Sequence, residues 1–284
     1  DVRFTRAQMR ELRFAALLHD LGKVAVREDV LIKAKKLPPE LWERVRARFA
    51  LIRRTMEVEY LRKRASLLLD TNATLRTRRL DDAYARQLER LERVSNVVRA
   101  ANEPTVDLDP LDVHLAEIVM PEHLAEIATQ TFESADATEQ PYLTADELRF
   151  LQIPHGTLDD RERTVIESHV DQTYRFLAQI PWTDDLKNLP IYAGMHHEKL
   201  DGTGYPRRVK GKDIPIQSRM ITIADIFDAL TESDRPYRRA MPLERALDLL
   251  QSEAKAGQLD SELVRIMIES QVYRKVLDED WKRL

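Results

Sequence analysis

Glycine is scarce in this chain: only seven of its 284 residues are glycine, whereas Ala, Leu, Glu and Arg are abundant. Glycine destabilises helices relative to alanine, and the abundant residues are good helix formers. Few windows alternate apolar and polar residues with the period of two that a half-buried strand shows, whereas apolar residues recur at helical spacing. The sequence therefore predicts an all-α fold.

The composition excludes several classes of protein. Hydrophobic residues make up 43% of the chain and charged residues 33%, as in soluble globular proteins. No apolar run is long enough to span a membrane, and the net charge of −4 argues against nucleic-acid binding. Cysteine is absent, which excludes disulfides, thiolate zinc sites and cysteine nucleophiles. We expect a cytoplasmic protein and, because the chain starts at Asp1 in an amphipathic helix, a fragment of a longer one.

The stretch from 55 to 101 keeps a helical pattern and contains no glycine or proline. Its apolar residues step by three or four positions and form a coiled-coil-like seam, which consists of Leu80, Tyr84, Leu88, Leu91, Val94 and Val98. Two interpretations remain open. The stretch forms a long helical hairpin that packs on the body of the protein, or it provides a dimerisation or signalling helix.

Four of the seven glycines lie between Gly194 and Gly211. In a helical chain this clustering indicates a loop with unusual backbone conformations. Within it, the segment from His196 to Pro206 reads His-His-Glu-Lys-Leu-Asp-Gly-Thr-Gly-Tyr-Pro. Two adjacent histidines at the end of a helix, followed by a carboxylate and a tight turn, can direct several ligand atoms to one point.

Other candidate ligands occur far from this segment. His19 is followed directly by Asp20 at the end of a predicted helix, and the two side chains can contact the same ion. Asp225 lies in an otherwise apolar helix, where a charge is costly unless it is paired or bound to metal. A lone histidine in a helix is more often a core residue than a ligand, so the following are predicted to lie in the core: His114, His123 and His155.

The order of these motifs is specific: His-Asp-x-Gly-Lys, a helical His169, His-His-Glu-x-x-Asp-Gly-x-Gly-Tyr-Pro, Ala-Asp in a helix, and Arg-Pro-Tyr-Arg. In this order the chain resembles the HD-GYP family of HD metal-dependent phosphohydrolases, over about 11–36 and 156–272. The resemblance implies an HD-type helical bundle and two or three divalent metal ions. It also implies hydrolysis of cyclic di-GMP to pGpG, GMP or both.

The resemblance also implies roles for individual residues. The metal ligands it implies are His19, Asp20, His169, His196, His197 and Asp225, with Asp20 bridging two ions. Lys23 is expected near the scissile phosphate, so Lys23 and Asp20 are the candidate catalytic residues. The residues expected to contact the substrate are Lys23, Asp201, Gly202, Gly204, Tyr205, Pro206, Arg235 and Arg238.

The chain departs from the family pattern in two respects. A further histidine ligand, accompanied in some members by a glutamate, lies in the family on a helix before the His-Asp pair, and only 18 residues precede His19 here. We therefore expect that helix, and a sensor domain, in a longer protein. In addition, residues 38–154 interrupt the usual short path between the first two ligand segments. The predicted domains are a catalytic domain of 1–37 and 155–284, and a helical insertion of 38–154.

Ligands that are imidazoles and carboxylates, without thiolates, suit several ions; Fe and Mn are favoured, and Zn and Ni are alternatives. Two such ions can lower the pKa of a bridging water, and we expect the resulting hydroxide to attack phosphorus. One alternative is an HD phosphohydrolase for another nucleotide. Another is a non-catalytic module that binds a cyclic dinucleotide or docks on a diguanylate cyclase through the Gly-Tyr-Pro loop. A homodimer through the 55–101 helices is compatible with each of these functions.

Overall fold

The computed structural model describes residues 3–67, 73–104, 120–134, 137–231 and 241–277, and most of them are helical. In chain order the elements are α1 (Arg6–Leu18), a 3₁₀ helix (Leu21–Ala25), α2 (Glu28–Leu31), α3 (Pro39–Leu67), α4 (Ala73–Ala101), α5 (Pro121–Ala128), β1 (Thr131–Glu133), β2 (Glu139–Pro141), α6 (Ala145–Leu151), α7 (Asp160–Ala178), α8 (Leu189–Ala193), a second 3₁₀ helix (Gly211–Asp213), α9 (Ile216–Thr231), α10 (Leu243–Lys255), α11 (Ser261–Ser270) and α12 (Arg274–Leu277). The prediction of an all-α fold is confirmed.

In the described part of the chain, sheet structure is limited to one antiparallel pair, in which Phe132 of β1 lies opposite Gln140 of β2. Among the same residues, no helix has both the length and the apolar character that crossing a bilayer requires. The chain divides into two compact units, one formed by Asp1–Leu31 with Arg161–Leu284 and the other by Ile32–Asp160. From the sequence, the two domain boundaries were predicted after residues 37 and 154.

The first unit contains α9 as a central element. Ile221 of α9 packs in one apolar cluster with α1 and α8, through Leu12 and Leu189. Ile223 packs in a second cluster with Leu250 of α10. Because α9 packs on two sides, the half-buried carboxylate of Asp225 in its interior needs a partner for its charge.

The second unit is built on an antiparallel hairpin of α3 and α4. Tyr60 of α3 stacks on Tyr84 of α4 with ring centroids 4.2 Å apart, and its hydroxyl donates to Asp81 at 2.8 Å. The predicted seam of α4 lies on the packed side, where Leu91 and Val98 are buried. These contacts agree with the hairpin interpretation, whereas dimerisation through the same helices stays a prediction.

A buried ion pair joins α3 to α6 in the second unit. Glu147 is 1% exposed, and its two carboxylate oxygens accept from the Arg48 guanidinium at 2.5 and 3.0 Å. The same carboxylate accepts from the backbone N–H of Thr144, which completes the capping box that the sequence predicts for α6. Removal of Arg48 would therefore leave a buried, partly unpaired charge.

We predict that Arg48→Met lowers the free energy of unfolding by about 3 kcal/mol, because the Glu147 carboxylate loses its counterion in a buried place. The matched control is Arg46→Met, since Arg46 pairs with Glu43 at the surface at 2.8 Å. This control should change the free energy by less than about 1 kcal/mol. Urea titration followed by circular dichroism measures both, and equal losses in the two variants would contradict the prediction.

Candidate metal centre

His19 and Asp20 lie directly after α1, whose last helical residue is Leu18. The Nδ1 atom of His19 lies 2.7 Å from the carbonyl oxygen of Ala16, so the helix end fixes the orientation of the ring. The Nε2 atom lies 3.3 Å from Oδ2 of Asp20. The pair therefore presents one imidazole nitrogen and one carboxylate to the same space.

His169 comes from the middle of α7 and is 2% exposed, and His196 follows α8 and is fully buried. Their Nδ1 atoms lie 2.5 and 2.6 Å from the carbonyl oxygens of Ile166 and Ala193. Their Nε2 atoms lie 3.2 and 3.9 Å from Oδ1 of Asp20. Two more segments of the chain thus meet the His-Asp pair at one carboxylate.

The three histidines His19, His169 and His196 share one arrangement. In each, Nδ1 faces the carbonyl of the residue three positions earlier. A carbonyl oxygen can only accept, so Nδ1 carries a proton and Nε2 is the nitrogen of each ring that faces the cluster. Backbone carbonyls orient metal-binding histidines in the same way. All three rings are therefore prepared to bind a cation through Nε2.

Four buried ligand atoms lack a hydrogen-bond partner among the described residues: Oδ1 of Asp20 and the Nε2 atoms of His19, His169 and His196. Buried polar atoms without a partner are rare, because losing water without replacement costs free energy. Here they converge on one place, and the chemistry of imidazole nitrogens and a carboxylate oxygen suits a divalent transition-metal ion. These residues fit the metal centre that the motifs predict.

His197 and Asp225 complete the set of predicted ligands. Nε2 of His197 lies 3.9 Å from one Asp225 oxygen, and Nε2 of His19 lies 3.5 Å from the other. Two groups of three side chains within the described residues have ligand atoms within 4.8 Å of one another: His169, His196 and His197, and His19, Asp20 and His196. Five of the six predicted ligands belong to these groups, and the sixth, Asp225, lies within 4 Å of His19 and His197. That each of them binds metal stays a prediction.

Burial keeps the histidine pair neutral. It lowers the pKa of His196 to about 3, assisted by the nearby His197, and it lowers the pKa of His197 to about 4. At neutral pH both rings therefore have a free lone pair.

The pKa of the His19 ring is raised, in contrast to those of the histidine pair. Burial disfavours its charged form, but the carboxylates of Asp20 and Asp225, 3.3 and 3.5 Å from Nε2, outweigh burial and raise the pKa of His19 to about 10. Burial would raise the pKa of Asp20, yet the nearby rings of His169 and His19 and a hydrogen bond from Lys23 lower it below its ordinary value. The carboxylates around His19 thus favour a positive charge at this point.

Lys23 lies in the 3₁₀ helix that follows the His-Asp pair, and its ammonium group is 2.6 Å from Oδ2 of Asp20. Its side chain is 34% exposed, so the charge is next to the candidate ligands and accessible. The structure therefore places the predicted catalytic lysine beside the cluster. Its role in the reaction stays a prediction.

The glycine-rich loop folds back onto the histidine pair. A Cβ atom on Gly204 would lie 2.4 Å from the carbonyl oxygen of His197, so only glycine fits. The next residue, Tyr205, donates its N–H to the same carbonyl, and its ring stacks on His197 with centroids 4.7 Å apart. Burial raises the pKa of Tyr205 above its ordinary value, so the phenol is neutral at physiological pH. Pro206 follows Tyr205 through a cis peptide bond.

Other predicted substrate contacts lie in or near this loop. Asp201 accepts from the N–H and the hydroxyl of Thr203 at 2.9 and 2.7 Å, which shapes the turn, and Gly202 has a positive φ of 81°. Their contact with a substrate stays a prediction. Arg235 and Arg238 lie outside the described residues.

The prediction that the remaining histidines lie in the core is wrong for two of them. His123 and His155 are both exposed, and both belong to the second unit. A lone histidine near a helix end carries no pattern that distinguishes a surface position from a buried one. His114 lies outside the described residues.

Sequence reasoning missed three buried residues that bond to the backbone of the segments next to the candidate ligands. Glu198 is 2% exposed and accepts from the backbone N–H groups of Arg207 and Val209 at 2.7 and 2.9 Å, which holds the glycine-rich loop closed. Thr173 and Thr222 contact the backbone of the ligand pairs. Their positions in the sequence could have identified them. Glu198 directly follows the histidine pair, and each threonine lies one helical turn from a predicted ligand.

Comparison with curated proteins shows similarity to cyclic dinucleotide phosphodiesterases. The chain is 47% identical over 96 residues, 34% of its length, to the 3'3'-cGAMP-specific phosphodiesterase 3 of Vibrio cholerae. It is 38% identical over 40% of its length to the 3'3'-cGAMP-specific phosphodiesterase 1 of the same organism. It is 35% identical over 44% of its length to a cyclic di-GMP phosphodiesterase of Thermotoga maritima. These matches cover 20, 25 and 34% of the three relatives, so the chain matches only a minor part of each.

A family model described as HD domain matches residues 78–263, which is more than half of the chain. The matched stretch contains His169, the histidine pair and Asp225, and it begins after His19 and Asp20. The cluster joins these two parts, because Asp20 lies within 4 Å of the Nε2 atoms of His169 and His196. The chain therefore belongs to the HD domain family, in agreement with the HD-GYP resemblance that its motifs predicted.

Proposed function

We propose that this chain is a metal-dependent phosphodiesterase that hydrolyses cyclic di-GMP to pGpG, GMP or both. The observation that carries the proposal is the convergence of four buried ligand atoms, on His19, Asp20, His169 and His196, that have no hydrogen-bond partner among the described residues. Curated relatives that are cyclic di-GMP or cGAMP phosphodiesterases support the substrate class. The proposed catalytic domain is 1–37 with 155–284, and 38–154 is a helical insertion.

The six clustered side chains would hold at least two divalent ions, with Fe or Mn favoured over Zn or Ni. Bound ions supply charge neutralisation at phosphoryl oxygens and activation of a water molecule for in-line attack. The Nδ1–carbonyl hydrogen bonds of three histidines keep their Nε2 lone pairs directed at the ions.

Around the ions, the chain provides charge and shape for an anionic substrate. The Lys23 ammonium lies beside Asp20 and would stabilise the negative charge that develops on the attacked phosphate. Tyr205 stacked on His197 offers an aromatic wall next to the ligands. Arg235 and Arg238, which the resemblance assigns to the substrate phosphates, would offset the net negative charge of the chain locally.

A second candidate substrate is 3'3'-cGAMP, because relatives that are 47 and 38% identical to the chain are 3'3'-cGAMP-specific phosphodiesterases. The alternative to an enzyme is a non-catalytic module. Such a module would bind a cyclic dinucleotide or dock on a diguanylate cyclase. A cytoplasmic location and a homodimer through the 55–101 helices complete the proposal.

We predict that Asp20→Asn lowers turnover of cyclic di-GMP about 1000-fold or more, because the amide cannot bridge two cations as a carboxylate does. Metal content, measured by elemental analysis of the purified protein, should fall with it. The control is Asp29→Asn, since Asp29 is an exposed residue that pairs with Arg27. Full activity in the Asp20 variant would contradict the proposed site.

The choice between the two substrates is tested by their kcat/KM values with Mn²⁺-loaded protein and chromatographic separation of products. We predict that cyclic di-GMP gives the higher value by about tenfold or more, which corresponds to about 1.4 kcal/mol in transition-state binding. A higher kcat/KM for 3'3'-cGAMP than for cyclic di-GMP would identify 3'3'-cGAMP as the substrate instead. Binding of either dinucleotide without turnover would support the non-catalytic module.

The raised pKa of His19 predicts that metal binding releases a proton. At neutral pH this ring is protonated, because its pKa is about 10, and it must lose the proton before Nε2 can bind an ion. The apparent Kd for Mn²⁺ should therefore fall about tenfold per pH unit between about pH 6.5 and about pH 8.5. His196 and His197 add nothing to this slope, since their pKa values of about 3 and about 4 leave them neutral.

Isothermal titration calorimetry in buffers of different protonation enthalpy measures the number of protons released. His19→Gln should bind Mn²⁺ more weakly and release fewer protons. A Kd that does not change with pH would contradict the assignment of His19 as a ligand.

A further inference from the structure

Two buried threonines lie one helical turn from predicted ligands. Thr173 is fully buried and follows His169 by four residues in α7, and Thr222 is 3% exposed and precedes Asp225 by three residues in α9. Neither is required by the motifs of the sequence. Both hydroxyl groups reach out of their own helices to the backbone of another ligand segment.

Thr173 binds the backbone on both sides of Asp20. Its hydroxyl donates to the carbonyl oxygen of His19 at 2.9 Å and accepts from the N–H of Gly22 at 2.8 Å. One side chain of α7 thereby uses both its donor and its acceptor on the turn that carries the His-Asp pair. The distance between this turn and His169, on the same helix as Thr173, is fixed by those two bonds.

Gly22 shows how closely the turn approaches α7. A Cβ atom at this position would lie 1.9 Å from the carbonyl oxygen of His169 and 2.6 Å from the backbone nitrogen of Thr173. Real Cβ atoms do not approach other atoms so closely, so any other residue would push the turn away from α7. The close approach and the hydroxyl bridge are thus two parts of one contact.

Thr222 provides the corresponding link for the histidine pair. Its hydroxyl lies 2.6 Å from the carbonyl oxygen of His196 and 2.9 Å from that of Ser218 in its own helix. The shorter contact joins α9, which carries Asp225, to the segment that carries His196 and His197. Each threonine therefore joins the helix of one predicted ligand to the backbone of a predicted ligand pair.

We propose that Thr173 and Thr222 are positioning residues of the metal centre, which set the distances between ligands that come from separate segments of the chain. The inference rests on the proposed metal-dependent function and names how the same site is assembled. Metal ions accept only a narrow range of ligand distances. Groups that orient ligands from behind typically change metal affinity about 10- to 100-fold when they are removed.

The test compares Thr→Val, which keeps the shape and removes the hydroxyl, with Thr→Ser, which keeps the hydroxyl, at both positions. Mn²⁺ alone is the probe, and free Mn²⁺ is measured by electron paramagnetic resonance in titrations of full-length, chelator-treated protein. We expect the Kd to rise about tenfold or more in Thr173→Val and in Thr222→Val. The two serine variants should stay within about twofold of the unmodified chain.

Thr231→Val is the matched control. Thr231 lies in α9 as well, and its hydroxyl donates to the carbonyl of Phe227 in the same helix at 2.9 Å. The Thr231→Val variant should have the same Kd for Mn²⁺ as the unmodified chain. Circular dichroism of the metal-free proteins checks that every variant is folded. If Thr173→Val is unfolded, Thr173→Cys, whose thiol is a weak hydrogen-bond partner, takes its place, with the same expected direction.

Unchanged Mn²⁺ affinity in folded valine variants, or an equal loss in Thr231→Val, would overturn the proposal. Different measurements reveal failure of this proposal and failure of the proposed function. If the unmodified chain binds Mn²⁺ but does not hydrolyse cyclic dinucleotides, the catalytic function fails and the threonine roles are still measured by affinity. If it hydrolyses them and the valine variants bind Mn²⁺ normally, only the inference on the threonines fails.

Discussion

The need to satisfy imidazole nitrogens that are withdrawn from water governs this structure. Three Nε2 atoms and a carboxylate oxygen face one place, and each would be costly to bury alone. A single bound cation can satisfy all of them at once. The first unit brings these ligand atoms together although they come from distant parts of the sequence, such as His19 and His169.

The candidate ligands come both from helix ends and from helix interiors. His19 and His196 lie just after α1 and α8, where the last carbonyls of a helix are available to orient a ring. His169 and Asp225 come from the interiors of α7 and α9, where the backbone is rigid. Two-sided burial of α9 fixes the position of Asp225, and the glycine-rich loop covers the other side of His197 with the ring of Tyr205. Rigid helices thus carry single ligands, while turns carry the pairs.

The sequence predicted the parts of this arrangement that leave a local pattern. Glycine scarcity predicted the helical fold, and the HD-GYP resemblance, which rests on the order of the motifs, implied which six side chains would be ligands. It did not predict Thr173, Thr222 or the Arg48–Glu147 pair, because those contacts depend on which distant segments become neighbours in space. The positions of His123 and His155 were misjudged because a lone histidine has no periodic or paired context.

The two groups of ligands differ in chemistry, and His196 belongs to both. An imidazole nitrogen has one lone pair and coordinates one ion, whereas the two oxygens of a carboxylate can be divided between neighbours. One group is therefore all nitrogen, through His169, His196 and His197, and the other adds one carboxylate, through Asp20. If both groups hold an ion, the all-nitrogen group would favour ions that prefer imidazole, and the group with the carboxylate would accept harder ions more readily.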